Sequence, residues 1–227
     1  MNPSSSPVSA FSSSAGRLVL SLGLAGLIWL LGLAGHFSPA GEWPALFLYV
    51  LGSIGLALYI GRRDGLESIW LRGGLHGRSL LWGGLAGLVL FAMDITNTVL
   101  YYKNGGAPMV EMELLLVNRS LLWLFPVLIL AEEFLWRGML LSSMIGRGLN
   151  PHLAVALTTL MYALNHFAVA PVGMRERALM AMMAMPIGIF GGYLVLKTRN
   201  VWGSVLVHMI TMASMVLDIF VIPKLIH

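Results

Sequence analysis

Seven apolar runs govern what this chain can fold into. They lie at about 18–35, 44–61, 80–102, 114–142, 151–171, 178–196 and 201–222. Each approaches the ~20 residues a helix needs to cross a hydrocarbon core about 30 Å thick. Lipid offers no partner to a free backbone N–H or C=O, so consecutive runs of this length fold as helices that satisfy their own backbone. The sequence therefore predicts an all-α, polytopic integral membrane bundle with about seven transmembrane helices (six to eight). The run at 114–142 is long for one span and is predicted to tilt or to extend beyond the bilayer. Residues 1–16 are Ser-rich and read as a flexible tail. The first run is longer than a signal-peptide core of 7–15 residues and no clear cleavage pattern follows it, so it is predicted to be a retained helix. No internal repeat, soluble domain or long linker divides residues 17–227, which read as one membrane domain.

Composition removes the competing classes. Of the 227 residues, 58% are hydrophobic and 11% charged, and mean hydropathy is +0.83. That is about half the charge of an ordinary soluble domain. The net charge of +4 would raise nucleic acid as a partner in a soluble protein, but these bases lie between apolar runs, where they set topology. With the Arg-rich loop 62–78 in the cytoplasm, Arg17, Arg62, Arg63, Arg72, Arg78, Arg147, Lys197 and Arg199 share that side. Lys103, Arg119, Arg175, Arg177 and Lys224 take the other, a bias of eight to five that predicts a cytoplasmic N-terminus and, for an odd span count, an external C-terminus. The absence of cysteine excludes disulfides, thiol nucleophiles and Cys-based metal centres. The 26 Gly suit close helix approach, and the Met-rich stretch 174–185 reads as packing or a lipid-facing surface.

Ionisable groups at membrane depth are costly, so each is a functional candidate. The densest group is Glu132-Glu133-Phe134-Leu135-Trp136-Arg137, after the apolar stretch 121–130. Adjacent carboxylates on a helix project about 100° apart. Glu133 and Arg137, four residues apart, share a face in the favourable order for an ion pair. Glu132 has Trp136 at that spacing and no local cation, which leaves it free to take and return a proton. A purely structural ion pair at a helix end is the competing reading. Two intramembrane histidines, His166 and His208, lie in the fifth and seventh runs. Each alone reads as polar glue between helices; together with the Glu-Glu-Arg segment they form a candidate site for a water, a metal or a proton path. His36, His76, His152 and His227 fall at span ends or in loops and read as interfacial. Asp94, Thr96, Asn97 and Thr98 read as interhelical hydrogen bonders, with a substrate cavity as the other reading. Asn118, Arg119 and Ser120 read as the start of a helix, and Asp218 as a residue near the outer interface. Pro126 and Pro186 are candidates for kinks that open a cavity.

In order and rough spacing, Glu132-Glu133-x-x-x-Arg137, Tyr162-x-x-x-His166 and His208 resemble the CAAX-protease and bacteriocin-processing (Abi) family of intramembrane endopeptidases. The resemblance covers about 114–222, the family-like core, and the first three spans add only general hydropathy. It implies an endopeptidase of the bacterial cytoplasmic (inner) membrane, acting on a membrane-anchored peptide or protein, with no nucleic acid involved. Under it Glu132 is the general base that activates water, His166 positions or polarises that water, and His208 stabilises the oxyanion. Glu133 and Arg137 give electrostatic support, with Tyr162, Asn165 and Thr211 as further supporting residues; Asn165 projects to the side of His166. Two departures stand out. Tyr162 replaces the family's usual Phe and adds a hydroxyl, and Met212 occupies the place of a polar residue four after the His. Thr211 or Ser214 is expected to supply the missing oxyanion donor, unless His208 works alone.

No cofactor is expected in this reading. A zinc version with Glu132, His166 and His208 as ligands comes second, since the chain lacks the His-Glu-x-x-His helix of common zinc proteases. Two further classes are a non-proteolytic membrane scaffold or immunity-like protein of the same fold, to which Met212 points, and a proton-coupled transporter using Glu132, His166 and Asp94. The lack of a visible half-to-half repeat counts against the transporter.

Overall fold

The computed structural model describes residues 14–118 and 120–226, so residues 1–13 of the tail read as 1–16, Arg119 and His227 lie outside the described residues, while 14–16 belong to the first helix rather than to a tail. The chain runs through α1 (Ser14–Gly35), α2 (Trp43–Asp64), a 3-10 turn (Leu66–Ile69), α3 (His76–Lys103), α4 (Val110–Val117) and α5 (Leu121–Glu133). A π-helical segment (Phe134–Leu141) leads into α6 (Ser142–Gly146), followed by α7 (Pro151–Val169), α8 (Met174–Thr198), α9 (Trp202–Phe220) and α10 (Ile222–Ile226). It is a polytopic helical bundle. Among the described residues, α1, α2, α3, α7, α8 and α9 are each long and apolar enough to cross a bilayer.

The fourth apolar run departs from expectation. It is broken, with α4 and the rod 121–146 meeting at 92°, and counting the pair as one span gives seven. Ser120 sits at the break in the left-handed region, at φ 55°. Polar Asn118 and Ser120 interrupt the apolar pattern there, and such side chains compete with the helical backbone for hydrogen bonds. The next helix starts on a stronger signal. Asn150 caps α7 by accepting from His152 N (2.9 Å) and Leu153 N (3.2 Å), with Pro151 at the first helical position.

α7 and α9 occupy the middle of the bundle: 56% and 50% of their spans are buried, against 28% for α1 and 22% for α3. Outward faces carry large apolar side chains such as Leu30, Leu81 and Trp82, suited to a lipid solvent. Helices α3 and α9 approach most closely through glycine. A Cβ on Gly83 would fall 2.4 Å from the Gly203 carbonyl oxygen, so no other residue fits there without moving a backbone.

The two ends differ in charge. Arg17 pairs with Asp64 at 3.4 Å, Ser14 Oγ donates to Gly146 O, and Asn200 Nδ2 donates to Gly73 O. These contacts gather the start of α1, the 62–78 loop, the end of α6 and the α8–α9 turn at one end, with the eight bases grouped by sequence. At the other end Arg177 binds Glu42 and His36 and donates to Val172 O and Phe167 O, both at 2.7 Å, clamping the α1–α2 turn to the start of α8.

Gly83→Val should separate α3 from α9 and cost about 1–3 kcal/mol, as overpacked cores do. Gly26→Ala, with nothing within 4 Å of the added carbon, should be neutral or slightly stabilising. Unfolding midpoints of the purified protein in mild detergent would separate the two.

Candidate active site

Glu132 and Glu133 are the last two residues of α5, where the backbone changes to π-helical hydrogen bonding. π-Segments recur at functional sites because the wider turn re-aims side chains. Here the change falls between the two carboxylates and Arg137. Glu133 is fully buried. Its Oε1 lies 3.2 Å from Arg137 Nη1 and 3.1 Å from His208 Nδ1, and its Oε2 accepts from Ser204 Oγ at 2.6 Å. Ser204 fits because α8 carries Gly191 opposite it, where a Cβ would meet the Ser204 hydroxyl. The Arg137 guanidinium also covers the Tyr162 ring, 4.5 Å from its centroid, a cation–π contact that helps hold a charge out of water.

Glu132 has no base on its own helix at ion-pair distance. Its partners come from α7 and α9: Tyr162 Oη lies 3.4 Å and His208 Nε2 3.6 Å from Oε2. Tyr162 Oη is also 3.1 Å from His208 Nε2. A carboxylate paired with Arg137 can only accept, so the hydrogen on His208 is assigned to Nδ1 from this network, and Nε2 faces the Tyr162 hydroxyl. The same logic fixes His166. Its Nδ1 lies 3.0 Å from the Tyr162 carbonyl oxygen, an acceptor, which leaves the Nε2 lone pair unused by that bond. Both imidazoles stand edge-on to the Tyr162 ring, at 5.0 and 5.8 Å between centroids.

Glu132, Tyr162, Asn165, His166, His208, Thr211 and Met212 all border one cavity of about 80 Å³. A water needs roughly 10–15 Å³ by this measure, so several fit. Two expectations need correction. The Thr211 hydroxyl is bonded to the backbone, at 2.9 Å from His208 O and 3.2 Å from Val207 O, and Ser214 Oγ is bonded to Asp94 Oδ2 at 2.6 Å and Thr211 O at 2.7 Å. Neither offers a spare hydrogen to the cavity, since a helical hydroxyl near the carbonyls three and four residues back settles onto them. Asn165, expected only at the side, is 1% exposed and on the cavity wall.

The first helices also contribute more than hydropathy. Trp29 of α1 donates through Nε1 to Asn165 Oδ1 at 2.9 Å. Tyr49 of α2 lies on the cavity wall and accepts from Trp136 Nε1. The available signal was an aromatic with a polar handle in mid-run, since a buried Trp N–H or Tyr O–H seeks a partner. Ser204 carried no signal that sets it apart from other serines. Among the described residues no three His, Asp or Glu side chains stand as a metal-ligand set. His208 has Nδ1 on Glu133 and Nε2 on Tyr162.

Removing one member of the buried pair should be severe. Arg137→Met leaves Glu133 without its guanidinium and should cost about 3–5 kcal/mol, whereas Glu133→Gln with Arg137→Met should recover much of the loss. Unfolding of the single and double variants in detergent measures both.

Residues 115–214 match the family model described as type II CAAX prenyl endopeptidase, Rce1-like. No curated protein and no solved structure matches the chain. The matched segment contains the Glu-Glu-Arg rod, the Tyr162–His166 turn of α7 and His208 of α9, so over this stretch the chain, an integral membrane protein, is similar to the Rce1-like type II CAAX prenyl endopeptidases.

Proposed function

We propose that this protein is an intramembrane endopeptidase in which Glu132 activates water to hydrolyse a peptide bond of a membrane-anchored or lipidated protein or peptide. The observation that carries the reading is that Glu132, with no base of its own rod at ion-pair distance, borders a cavity with room for several waters together with His166 and His208 from two other helices. A water donating one hydrogen to Glu132 and the other to His166 Nε2 turns its lone pair towards a carbonyl carbon. As the water oxygen attacks, Glu132 takes its proton and the carbonyl oxygen becomes an oxyanion. Glu132 then returns that proton to the departing nitrogen as the C–N bond breaks, leaving a carboxyl and an amine.

The oxyanion needs donors placed in advance. His208, anchored by Glu133 through Nδ1, supplies one from Nε2 when the ring carries a second proton there. Asn165 supplies another: Trp29 can only donate, so Asn165 turns Oδ1 to it and keeps its NH2 for the cavity. This assigns to Asn165 the task that Met212 cannot perform. Glu133, Arg137 and Tyr162 act through the others by holding His208 and Glu132 in place. The end with eight bases faces the cytoplasm in this reading, which puts the N-terminus there, in a bacterial cytoplasmic membrane. A non-proteolytic scaffold is the second reading, favoured by Met212 on the cavity wall. The transporter loses support, because Asp94 borders a different cavity from Glu132 and His166.

Glu132→Gln or His166→Ala in purified protein should lower cleavage of a membrane-tethered peptide by roughly 10²–10⁴-fold, the range of general acid–base catalysis. Undiminished cleavage by Glu132→Gln rules out the mechanism, and full biological activity of that variant selects the scaffold. Asn165→Ala should cost on the order of 10²-fold or more in kcat, while Thr211→Val should leave kcat nearly intact, because the Thr211 hydroxyl is bonded to the backbone. Activity should persist in excess chelator; loss restored by zinc alone selects the metal version, with Glu132, His166 and His208 as ligands.

A further inference from the structure

A second, larger cavity of about 440 Å³ lies between α3, α8 and α9, and its size is that of a ligand pocket. It shares Met180, Met183, Ile187, Thr211 and Met215 with the Glu132 cavity, so the two are separated by one layer of side chains. Its walls are methionine-rich, adding Met93, Met109, Met112 and Met182 to those shared. Met adapts to flexible apolar chains. Part of the Met-rich stretch read as packing or lipid-facing thus lines a cavity, while Met174 and Met182 are largely exposed.

The charged side chains lining this apolar space have one sign. Asp94 of α3 and Asp218 of α9 stand side by side on its wall, close enough to share a hydrogen bond, with Ser214 donating to Asp94 and Thr98 beside Asp218. Glu176 is the third carboxylate on the wall and sits in the first turn of α8, where the helix N-terminus favours it. No Lys, Arg or His is among the described residues that line the cavity. Asp218 is 3% exposed and its Oδ1 is buried without a hydrogen-bond partner. A membrane carboxylate left in this state marks a substrate or ion path.

We infer that this cavity is a specificity subsite for an ammonium group carried on an aliphatic stem, a lysine side chain of the peptide substrate. The Met walls take the stem, and Asp94 and Asp218 take the charge. The inference rests on the endopeptidase reading and adds what the substrate carries. Asp218 lies ten residues beyond His208 on α9, or about 15 Å at 1.5 Å per residue. An extended peptide covers that in roughly four or five residues at ~3.3–3.6 Å each, and fewer once the lysine stem reaches inward. The preferred lysine therefore falls about three to five residues from the cleaved bond.

The test uses the full-length protein in nanodiscs and a membrane-tethered peptide series. Lysine is scanned through five positions on each side of the cleaved bond, each peptide paired with its norleucine counterpart and prepared with a free or acetylated N-terminus. At one register lysine should raise kcat/KM roughly tenfold over norleucine, as expected of a charge-assisted hydrogen bond out of water. The ratio should fall to about one in Asp218→Asn and in Asp94→Asn, both near-isosteric. Loss on acetylation, with norleucine tolerated, also supports the site and assigns the ammonium to the peptide N-terminus. Equal lysine and norleucine peptides at every register, with acetylation also without effect, overturn the inference, as does a preference that survives both Asp substitutions. Binding of the same peptides to the Glu132→Gln protein is the second readout. If the wild type cleaves none of them, the endopeptidase reading fails, and the binding preference still decides the subsite.

Discussion

A guanidinium and a carboxylate held in the middle of a membrane bundle set the terms for everything around them. Neither Arg137 nor Glu133 reaches solvent, and each would be costly there alone. Their mutual contact does not exhaust Glu133, whose oxygens also take Ser204 and His208. Arg137 has the face of Tyr162 on its other side. The charge pair thereby ties the π-segment to α7 and α9, and it fixes which nitrogen of His208 faces the cavity.

Around that anchor the helices divide the work. The central pair α7 and α9 carry Tyr162, His166 and His208, and burial on most sides limits the rotamers these side chains can reach. Adjacent positions on α5 set Glu132 about 100° from Glu133, so one carboxylate is neutralised and the other turns to the cavity. Glycine makes the required proximity available: Gly83 lets α3 reach α9, and Gly191 leaves the space Ser204 uses to reach Glu133. α1 and α2, whose sequences look like plain membrane spans, hold Asn165 and Trp136 through Trp29 and Tyr49. The site is thus supported from the outer helices as well as from the segment that matches the family.

The Met-lined cavity follows from the same economy of charge. A chain with 11% charged residues places two aspartates, Asp94 and Asp218, side by side in an apolar groove. Ser214 satisfies part of Asp94, as an interhelical hydrogen bond should, yet one oxygen of Asp218 stays unpaired. Two carboxyls in contact in a low dielectric cannot readily both carry charge, and a cation beside them relieves that cost.

Length and hydropathy alone determined the helical bundle, because a backbone in lipid has few alternatives. Spacing alone paired Glu133 with Arg137, since residues four apart on a helix are neighbours. Both properties are local, and so they are legible in one dimension. The sequence did not reveal the 92° break before α5, the π-turn, or the diversion of Thr211 and Ser214 onto backbone and Asp94. Nor did it show that Tyr49 and Asn165 meet at the cavity, or that Trp29 holds Asn165 there. Those outcomes depend on which faces of distant helices come into contact, and in lipid that choice is made by side-chain fit and interhelical hydrogen bonds. Only the folded bundle expresses it.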